Sequence, residues 1–280
     1  MIFVKSEDLK YGMRLAKPIY NKTGVLLYER NTRLTLQGIE SVKNFGLLGL
    51  YILEPAEPVP PMTEEDLDFE RFQTMAVFSI REELDNIIAG REPVNLKRLA
   101  NAIITNYGRL DHKITFTQNL RSTTDYVYKH VINTAILCAL ISAQVYYTPT
   151  EQEELVLAAL LHDIGKLLLP NKVREKYDDY DTNDLIIVKK IQNDGLGLLR
   201  PEIGIDSGVR RIVAQIHRME YGNSNLEQGK ILKSTKILKV ANLFDTMTCM
   251  KISEEAISEI AAIKYLLSVS YTHLRAHETE

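Results

Sequence analysis

Residues 151–166 read EQEELVLAALLHDIGK, an acidic start followed by seven apolar residues and then a polar cluster. The apolar part, Glu153–Leu161, indicates a buried helix. His162 and Asp163 stand side by side at its end, and Gly165 is typical of a helix stop. An imidazole beside a carboxylate suits a divalent metal such as Zn, Mn or Fe, whereas a polar helix terminus is the simpler interpretation.

Helical patterns continue on both sides of this stretch. Before it, Gln118–Tyr147 carries an apolar stripe, and Thr148–Glu151 has a threonine cap, a proline at the first helical position and a glutamate at the third. After it, apolar periodicity predicts helices around 183–194, 207–219 and 235–250. Strand signals are nearly absent after residue 60, so we predict a mainly α fold with a helical bundle.

The beginning of the chain has a different character. Glycine and asparagine separate short β-rich runs at 1–4, 14–20, 24–28 and 50–53, and a short helix is predicted from Thr35 to Phe45. This pattern predicts a small α/β module. Thr63 and Asp66 then fit the capping box that starts a helix.

The predicted organisation has five parts. They are a small N-terminal α/β module (1–55), a proline-rich linker (56–63), linking helices (64–114), a helical domain (115–268) and a polar tail (269–280).

The tail reads VSYTHLRAHETE and breaks the apolar period of residues 260–267. It resembles the translated read-through of a sequencing adapter. We therefore expect a non-native tail on a C-terminally truncated chain, and a genuine polar C-terminus is the alternative.

Composition argues against several classes of partner. A net charge of −3 over 280 residues gives no electrostatic case for a nucleic-acid polymer or an anionic membrane. The N-terminus lacks the pattern of a signal peptide, and polar residues interrupt the longest apolar stretch, Val131–Tyr147. Cys138 and Cys249 have no metal-type spacing and are interpreted as core thiols in a reducing compartment. We predict a cytoplasmic protein.

Three separate segments together resemble the HD-GYP branch of the HD-domain metal-dependent phosphohydrolases. Members of this branch are bacterial enzymes that hydrolyse cyclic di-GMP. The segments are Asp125–Asn133, His162–Lys166 and Val240–Asp245. The resemblance covers nearly the whole chain to residue 267, and the first module is similar to the small N-terminal domain of many members. It implies an HD-type helical bundle.

The resemblance also implies a metal site. His130, His162, Asp163 and Asp245 align with metal ligands, and two nitrogens with two carboxylates suit one divalent ion, with Mn or Fe favoured. A buried Asp163 or Asp245 would need a cation or hydrogen bonds beside it, because an unpaired buried carboxylate is costly.

Two further residues align with substrate-side positions. Lys166 matches the lysine that contacts substrate phosphate, and a solvated lysine after a helix stop is the alternative. His217 matches the second histidine of a His-His pair. It either faces the substrate side of the metal and donates a proton, or it is structural.

The chain also departs from the family pattern. Ile191 and Ile216 stand where the second metal has its histidine ligands, and isoleucine has no lone pair to donate. The GYP loop has become Tyr221–Leu226. The stretch that should carry a dinucleotide-gripping arginine reads Lys251–Glu254, and a glutamate there repels phosphate.

These departures leave two functions open. The first is a degenerate, one-metal phosphohydrolase with weak or altered phosphodiester hydrolysis, acting on a cyclic dinucleotide or another phosphoester. The second is a catalytically inactive HD-GYP-like module that signals through a protein partner. A helical scaffold unrelated to phosphate chemistry ranks last, because it requires all the motif matches to be accidental.

Overall fold

The computed structural model describes six segments of the chain, which are residues 1–45, 47–109, 125–176, 180–221, 231–249 and 257–275.

The N-terminal module combines two small antiparallel sheets with one helix. In the first sheet, the strand Gly49–Leu53 lies between Ile2–Lys5 and Arg14–Leu15. The second sheet pairs Ile19–Tyr20 with Leu26–Tyr28. Helix α1 (Leu36–Asn44) begins where the Thr35 hydroxyl accepts a hydrogen bond from the Gly38 amide. The predicted α/β character is confirmed. The strands are β1 (Ile2–Lys5), β2 (Arg14–Leu15), β3 (Ile19–Tyr20), β4 (Leu26–Tyr28) and β5 (Gly49–Leu53).

The remainder of the described chain is helical. Its helices are α2 (Glu64–Ile88), α3 (Leu96–Tyr107), α4 (Tyr126–Gln144), α5 (Pro149–Leu161), α6 (Asn171–Arg174), α7 (Thr182–Leu198), α8 (Ser207–Tyr221), α9 (Lys233–Thr248) and α10 (Glu259–Arg275). Two short 3₁₀ helices, Ile164–Leu168 and Pro201–Ile203, join them. The mainly α prediction is therefore confirmed.

Local signals explain where several helices begin. Reciprocal capping boxes start α2 at Thr63 and Asp66, and α5 at Thr148 and Glu151, as the sequence predicted. A third box, Asp181 with Asp184, starts α7. Each box satisfies backbone amides that the first helical turn leaves without an acceptor.

Helices α4 and α5 form the centre of the bundle. Among the described residues, α4 is the one helix long and apolar enough to span a membrane, but 72% of its apolar window is buried inside the protein, as in a core helix. Its Val131, Ile132, Ala135 and Ile136 are fully buried. Functional side chains on α4 are therefore held rigidly by close packing.

The end of the chain differs from the sequence pattern in one respect. Helix α10 continues to Arg275, past Val269, where the apolar period ends. Its sequence contains neither glycine nor proline, so nothing in the backbone chemistry stops the helix there. Residues 276–280 lie outside the described residues.

Candidate metal centre

Four predicted ligands meet in the middle of the bundle. His130 comes from α4, His162 and Asp163 directly follow α5, and Asp245 comes from the last turn of α9. None of them is more than 1% exposed. The two segments that supply His130 and Asp245 are 115 residues apart along the chain, and only packing of α4 against α9 brings them together.

Backbone contacts fix the tautomer of His162. Its Nδ1 lies 2.8 Å from the Ala159 carbonyl oxygen, which accepts hydrogen bonds only, so Nδ1 carries the proton and donates it. The Nε2 atom therefore presents a lone pair. Burial lowers the pKa of His162, which keeps the imidazole neutral and able to ligate.

His130 is oriented in the same way by a carboxylate. Its Nδ1 lies 2.7 Å from Asp245 Oδ2, and an ionised carboxylate makes this nitrogen the donor. The Nε2 atom on the other side of the ring lies 3.4 Å from Asp163 Oδ2. Neither His130 Nε2 nor His162 Nε2 has a hydrogen-bond partner among the described residues.

The donor separations fit a single divalent ion. One donor atom each from His130, His162 and Asp163 lies within 4.8 Å of the others. Asp163 Oδ2 is 3.4 Å from His130 Nε2 and 3.7 Å from His162 Nε2. Metal–ligand bonds of about 2.1 Å in a tetrahedral shell place neighbouring donors about 3.4 Å apart. The two buried Nε2 lone pairs have no hydrogen-bond donor among the described residues, and a cation between them would remove that cost.

Asp245 occupies a different position from the other three. Its carboxylate accepts a hydrogen bond from His130 Nδ1, the ring nitrogen that points away from Asp163. Asp245 is not part of the group formed by His130, His162 and Asp163. This is the arrangement of a residue that orients a metal-binding histidine. Asp245 as a direct ligand stays a prediction.

Lys166 lies inside the protein and not in solvent. Its side chain is buried, and its ammonium nitrogen lies 2.8 Å from Asp163 Oδ2. The interpretation of Lys166 as a solvated lysine is therefore wrong, because the 3₁₀ helix turns the side chain back onto the carboxylate three residues earlier. Its contact with substrate phosphate stays a prediction.

Asp163 is held in its charged form. Burial alone would raise its pKa, but the Lys166 ammonium lowers it well below its ordinary value. An ionised Asp163 is the form that binds a metal.

The interpretation of Gly165 as the helix stop is also wrong. Helix α5 ends at Leu161, and Gly165 lies within the following 3₁₀ helix. A Cβ on Gly165 would lie 2.8 Å from the Cα of Gln192, and one on Gly195 would lie 2.6 Å from the Cα of Gly165. The two glycines therefore allow α7 to pack directly on the segment that follows α5.

This close approach brings in a residue that the sequence analysis missed. Gln192 is 1% exposed, and its side-chain amide donates a hydrogen bond of 2.9 Å to Asp163 Oδ1. The signal available in the sequence was a lone amide on the same helix face as Val188 and Gly195, both of which are buried. That pattern indicates a buried polar residue but not its partner.

His217 has a structural contact. It is buried on α8, and its Nε2 donates to the carbonyl oxygen of His162 at 2.6 Å. This bond supports the backbone that carries His162 and Asp163. The geometry favours the structural alternative, and proton donation to substrate stays a prediction.

The two positions that align with second-metal ligands lie in apolar surroundings. Ile216 is fully buried in the main core, and Ile191 is partly buried against Leu169, Val173 and Val188. The altered loop after Tyr221 and the stretch Lys251–Glu254 lie outside the described residues.

Comparisons with known proteins agree with this architecture. Residues 127–247 match the family described as "HD domain". The "Cyclic di-GMP phosphodiesterase response regulator RpfG" of Xanthomonas campestris pv. campestris is 25% identical over 134 residues, which are 46% of this chain and 35% of that protein. The chain thus spans about a third of that relative's length.

A solved structure is similar over almost its full length. It is described as "Bd1817, a HDG"Y"P protein from Bdellovibrio bacteriovorus", is 16% identical, covers 96% of this chain and 94% of that one, and has a TM-score of 0.58. These findings confirm an HD-type helical bundle preceded by a small α/β module, and they confirm the resemblance to the HD-GYP branch.

Proposed function

We propose that this chain, which carries an HD domain and resembles the HD-GYP branch, is a degenerate member that holds one divalent ion and hydrolyses phosphoesters weakly or with altered specificity. The observation that carries the proposal is the buried convergence of His130 Nε2, His162 Nε2 and Asp163 Oδ2. The relationship to metal-dependent phosphohydrolases gives the reaction class, and the altered positions give the degeneracy.

The described residues have separate tasks in this proposal. His130, His162 and Asp163 would hold the ion, with Asp245 orienting His130 or joining the ligands. A divalent ion at such a site supplies Lewis acidity toward a phosphoryl oxygen and lowers the pKa of water. Mn or Fe is favoured by the mixed nitrogen and oxygen donors.

Lys166 is the cation available to a substrate phosphate. In the structure its ammonium neutralises Asp163, and an ion bound to Asp163 would take over that task. The ammonium would then be available to a phosphate oxygen, where a lysine acts as a point charge. A cyclic dinucleotide such as that named for the Xanthomonas relative, or another phosphoester, is the proposed substrate.

The test combines metal analysis with a hydrolysis assay. The purified chain is stripped with a chelator and reloaded with Mn²⁺ or Fe²⁺, beside the variant His130→Ala. We expect about one equivalent of metal per chain, lost in the variant. We also expect metal-dependent release of nitrophenol from bis(4-nitrophenyl) phosphate. Two equivalents would contradict the one-metal site, and no bound metal would end the proposal.

A second function is favoured by the burial of the centre. The metal-binding side chains are at most 1% exposed, and isoleucine replaces both further ligands expected from the family. A catalytically inactive module that signals through a protein partner would retain such a closed, metal-stabilised centre. Metal binding without hydrolysis of bis(4-nitrophenyl) phosphate or cyclic di-GMP would favour this function over the first. His162→Ala would then leave its biological activity intact.

A further inference from the structure

The beginning of α4 contacts the N-terminal module directly beside a predicted metal ligand. Lys129 immediately precedes His130 on this helix. Its side chain is largely buried, and its ammonium nitrogen donates a hydrogen bond of 2.9 Å to the hydroxyl oxygen of Tyr51, on the strand β5. The same nitrogen lies 4.7 Å from the centroid of the Tyr51 ring. A residue of the module therefore holds the neighbour of His130.

Tyr51 is itself firmly placed within the module. It is buried, and β5 is the central strand of its sheet, with β1 on one side and β2 on the other. Tyr51 lies across from Phe3 on β1, and the two rings pack edge to face with centroids 5.3 Å apart. The Tyr51 carbonyl oxygen accepts a hydrogen bond of 2.8 Å from the Ala16 amide. Its hydroxyl is thus a fixed point against which α4 can be held.

The beginning of α4 depends on contacts of this kind. Asp125 stands at the N-cap position, but among the described residues its side chain makes no capping hydrogen bond, and its carboxylate lies 3.0 Å from Lys129 Nζ. The first amides of a helix need acceptors from outside the helix, and a capping side chain is the usual one. The Asp125 carboxylate and the Tyr51 hydroxyl instead secure this turn through the Lys129 ammonium.

A shift at the beginning of α4 moves His130 as well. If the Lys129 ammonium loses the Tyr51 hydroxyl, it has to turn toward water for another acceptor, because a buried charge without partners is costly. Consecutive helical residues share one backbone of fixed geometry, so His130 follows this movement. Metal–ligand distances in proteins vary by only about 0.2 Å, so a small displacement of His130 Nε2 weakens binding of an ion.

We propose that Tyr51 is a positioning residue for the metal centre, which acts through Lys129 on the place of His130. The inference rests on the proposed one-metal site and extends it, because it gives the N-terminal module a part in metal binding. The contact is one step outside the ligands, so Tyr51 sets the affinity of the centre and takes no part in the chemistry.

The test measures the Mn²⁺ dissociation constant of the full chain by competition with a fluorescent chelator. Tyr51→Phe removes the hydroxyl and keeps the ring, and Tyr51→Leu removes both. Loss of a residue that contacts a metal ligand directly weakens affinity about 10–100-fold, and Tyr51 is one residue further away. We therefore expect about threefold weaker binding for Tyr51→Phe and about tenfold for Tyr51→Leu. Thermal melting in chelator checks that each variant is folded.

Lys17→Met is the matched control for the docking of the module. The Lys17 ammonium lies over the same ring, 5.1 Å from the Tyr51 centroid, but it pairs with Glu70 on α2. This change weakens the contact between the module and α2 and leaves the contact with α4, so the Mn²⁺ dissociation constant should not change. An equal loss of affinity in Lys17→Met and Tyr51→Phe would overturn the inference, because affinity would then follow the docking of the whole module.

A double-mutant cycle tests the route through Lys129. Lys129→Met alone should weaken Mn²⁺ binding, and Tyr51→Phe should cause no further loss in that background, because its partner is already absent. Additive losses would overturn the route, and an unchanged dissociation constant in a folded Tyr51→Leu would overturn the inference alone. Absence of Mn²⁺ binding by the unmodified chain would overturn the proposed function together with it. If Lys129→Met does not fold, the two Tyr51 variants and Lys17→Met decide.

Discussion

The two sides of the His162–Asp163 pair offer a cation very different surroundings. On one side, α4 supplies His130, whose free nitrogen faces the pair, and α9 supplies Asp245, which orients that histidine. On the other side, α7 and α8 supply isoleucines, the Gln192 amide and His217, and the last two form hydrogen bonds with Asp163 and the backbone. One side faces the pair with an imidazole nitrogen that has no hydrogen-bond partner among the described residues, and the other side faces it with hydrogen bonds.

This difference separates the part of the centre that favours a cation from the part that packing holds in place. A buried polar group is tolerated when it is hydrogen-bonded. Gln192 and His217 each make one hydrogen bond to the pair or its backbone without an ion, whereas Gln192 Oε1 and His217 Nδ1 have no partner among the described residues. The Nε2 atoms of His130 and His162 also have no hydrogen-bond partner among these residues, but these two atoms lie 3.4 Å and 3.7 Å from the carboxylate oxygen Asp163 Oδ2. We therefore expect the side with the two converging imidazole nitrogens to depend on metal, and the side formed by α7 and α8 to depend on packing.

Asp163 belongs to both sides, so its removal should have the largest effect. Asp163→Asn keeps the size but removes the charge beside the buried Lys166 ammonium, 2.8 Å away. Breaking a buried ion pair costs about 3–5 kcal/mol. We expect a loss of this size in the free energy of unfolding, measured in urea with chelator present, together with loss of metal binding.

Asp206→Asn is the matched control for that variant. Asp206 pairs with Lys97 at 3.3 Å, but both side chains are more than half exposed. Exposed pairs contribute at most about 1 kcal/mol. Similar losses in the two variants would mean that the burial of Asp163 is not what stabilises its pair.

The packed side should be most sensitive at its glycines. Gly195→Ala would place a Cβ 2.6 Å from the Gly165 Cα, which is backbone and cannot move aside cheaply. Overpacking of this kind costs about 1–3 kcal/mol. Gly197→Ala, two residues later on α7, has no atom within 4 Å and should raise the free energy of unfolding by about 0.5–1 kcal/mol. Equal denaturation midpoints for the two variants would contradict the close approach of α7.

The sequence predicted what local chemistry determines. The capping boxes at Thr63 and Thr148 each lie within four residues, and the helices that they begin were predicted correctly. The apolar run before His162 is also a local signal, and it predicts a buried helix. The mainly α fold follows from several patterns of this kind. The four ligand positions came from resemblance to a family, since a separation of 115 residues carries no local signal.

What the sequence did not predict depends on how helices meet. Gly165 resembles a helix stop when it is read with its neighbours alone, and its close contact with α7 appears only in the folded chain. Gln192 and the buried position of Lys166 depend on the same contact and on the 3₁₀ turn. Long-range packing of this kind decides which polar groups become partners.

A smaller effect tests whether the packed side supports the metal. Gln192→Leu removes the amide that donates to Asp163 Oδ1 and keeps similar volume. Loss of a hydrogen bond to a metal-binding carboxylate weakens affinity about 10–100-fold, and we expect a loss within this range. Competition with a fluorescent chelator measures the Mn²⁺ dissociation constant. Asn193→Leu, exposed on the same helix, should leave it unchanged, and so should Gln192→Leu if the two sides are independent.

The smallest effect concerns the pH dependence of the metal-free protein. Burial lowers the pKa of His162 below its ordinary value of 6.5. Just below pH 6.5, His162 therefore binds a proton in the unfolded chain but not in the folded chain. The free energy of unfolding must then fall as pH falls from about 6.5, by at most about 1.4 kcal/mol per pH unit. Asp163 contributes only below its ordinary value of 3.8, because its pKa is lowered from there.

The interval from pH 6.5 to about 4.5 therefore isolates the histidine side of the centre. In chelator, His162→Asn should show a shallower decline of the free energy of unfolding across this interval than the unmodified chain, and the same decline below pH 3.8. The difference measures the energetic cost of an imidazole that is held neutral by burial and not by a metal. Identical slopes would mean that His162 is protonated in the folded chain, with Asp163 as its counter-ion, and its Nε2 would then be a hydrogen-bond donor and not a nitrogen available to a metal.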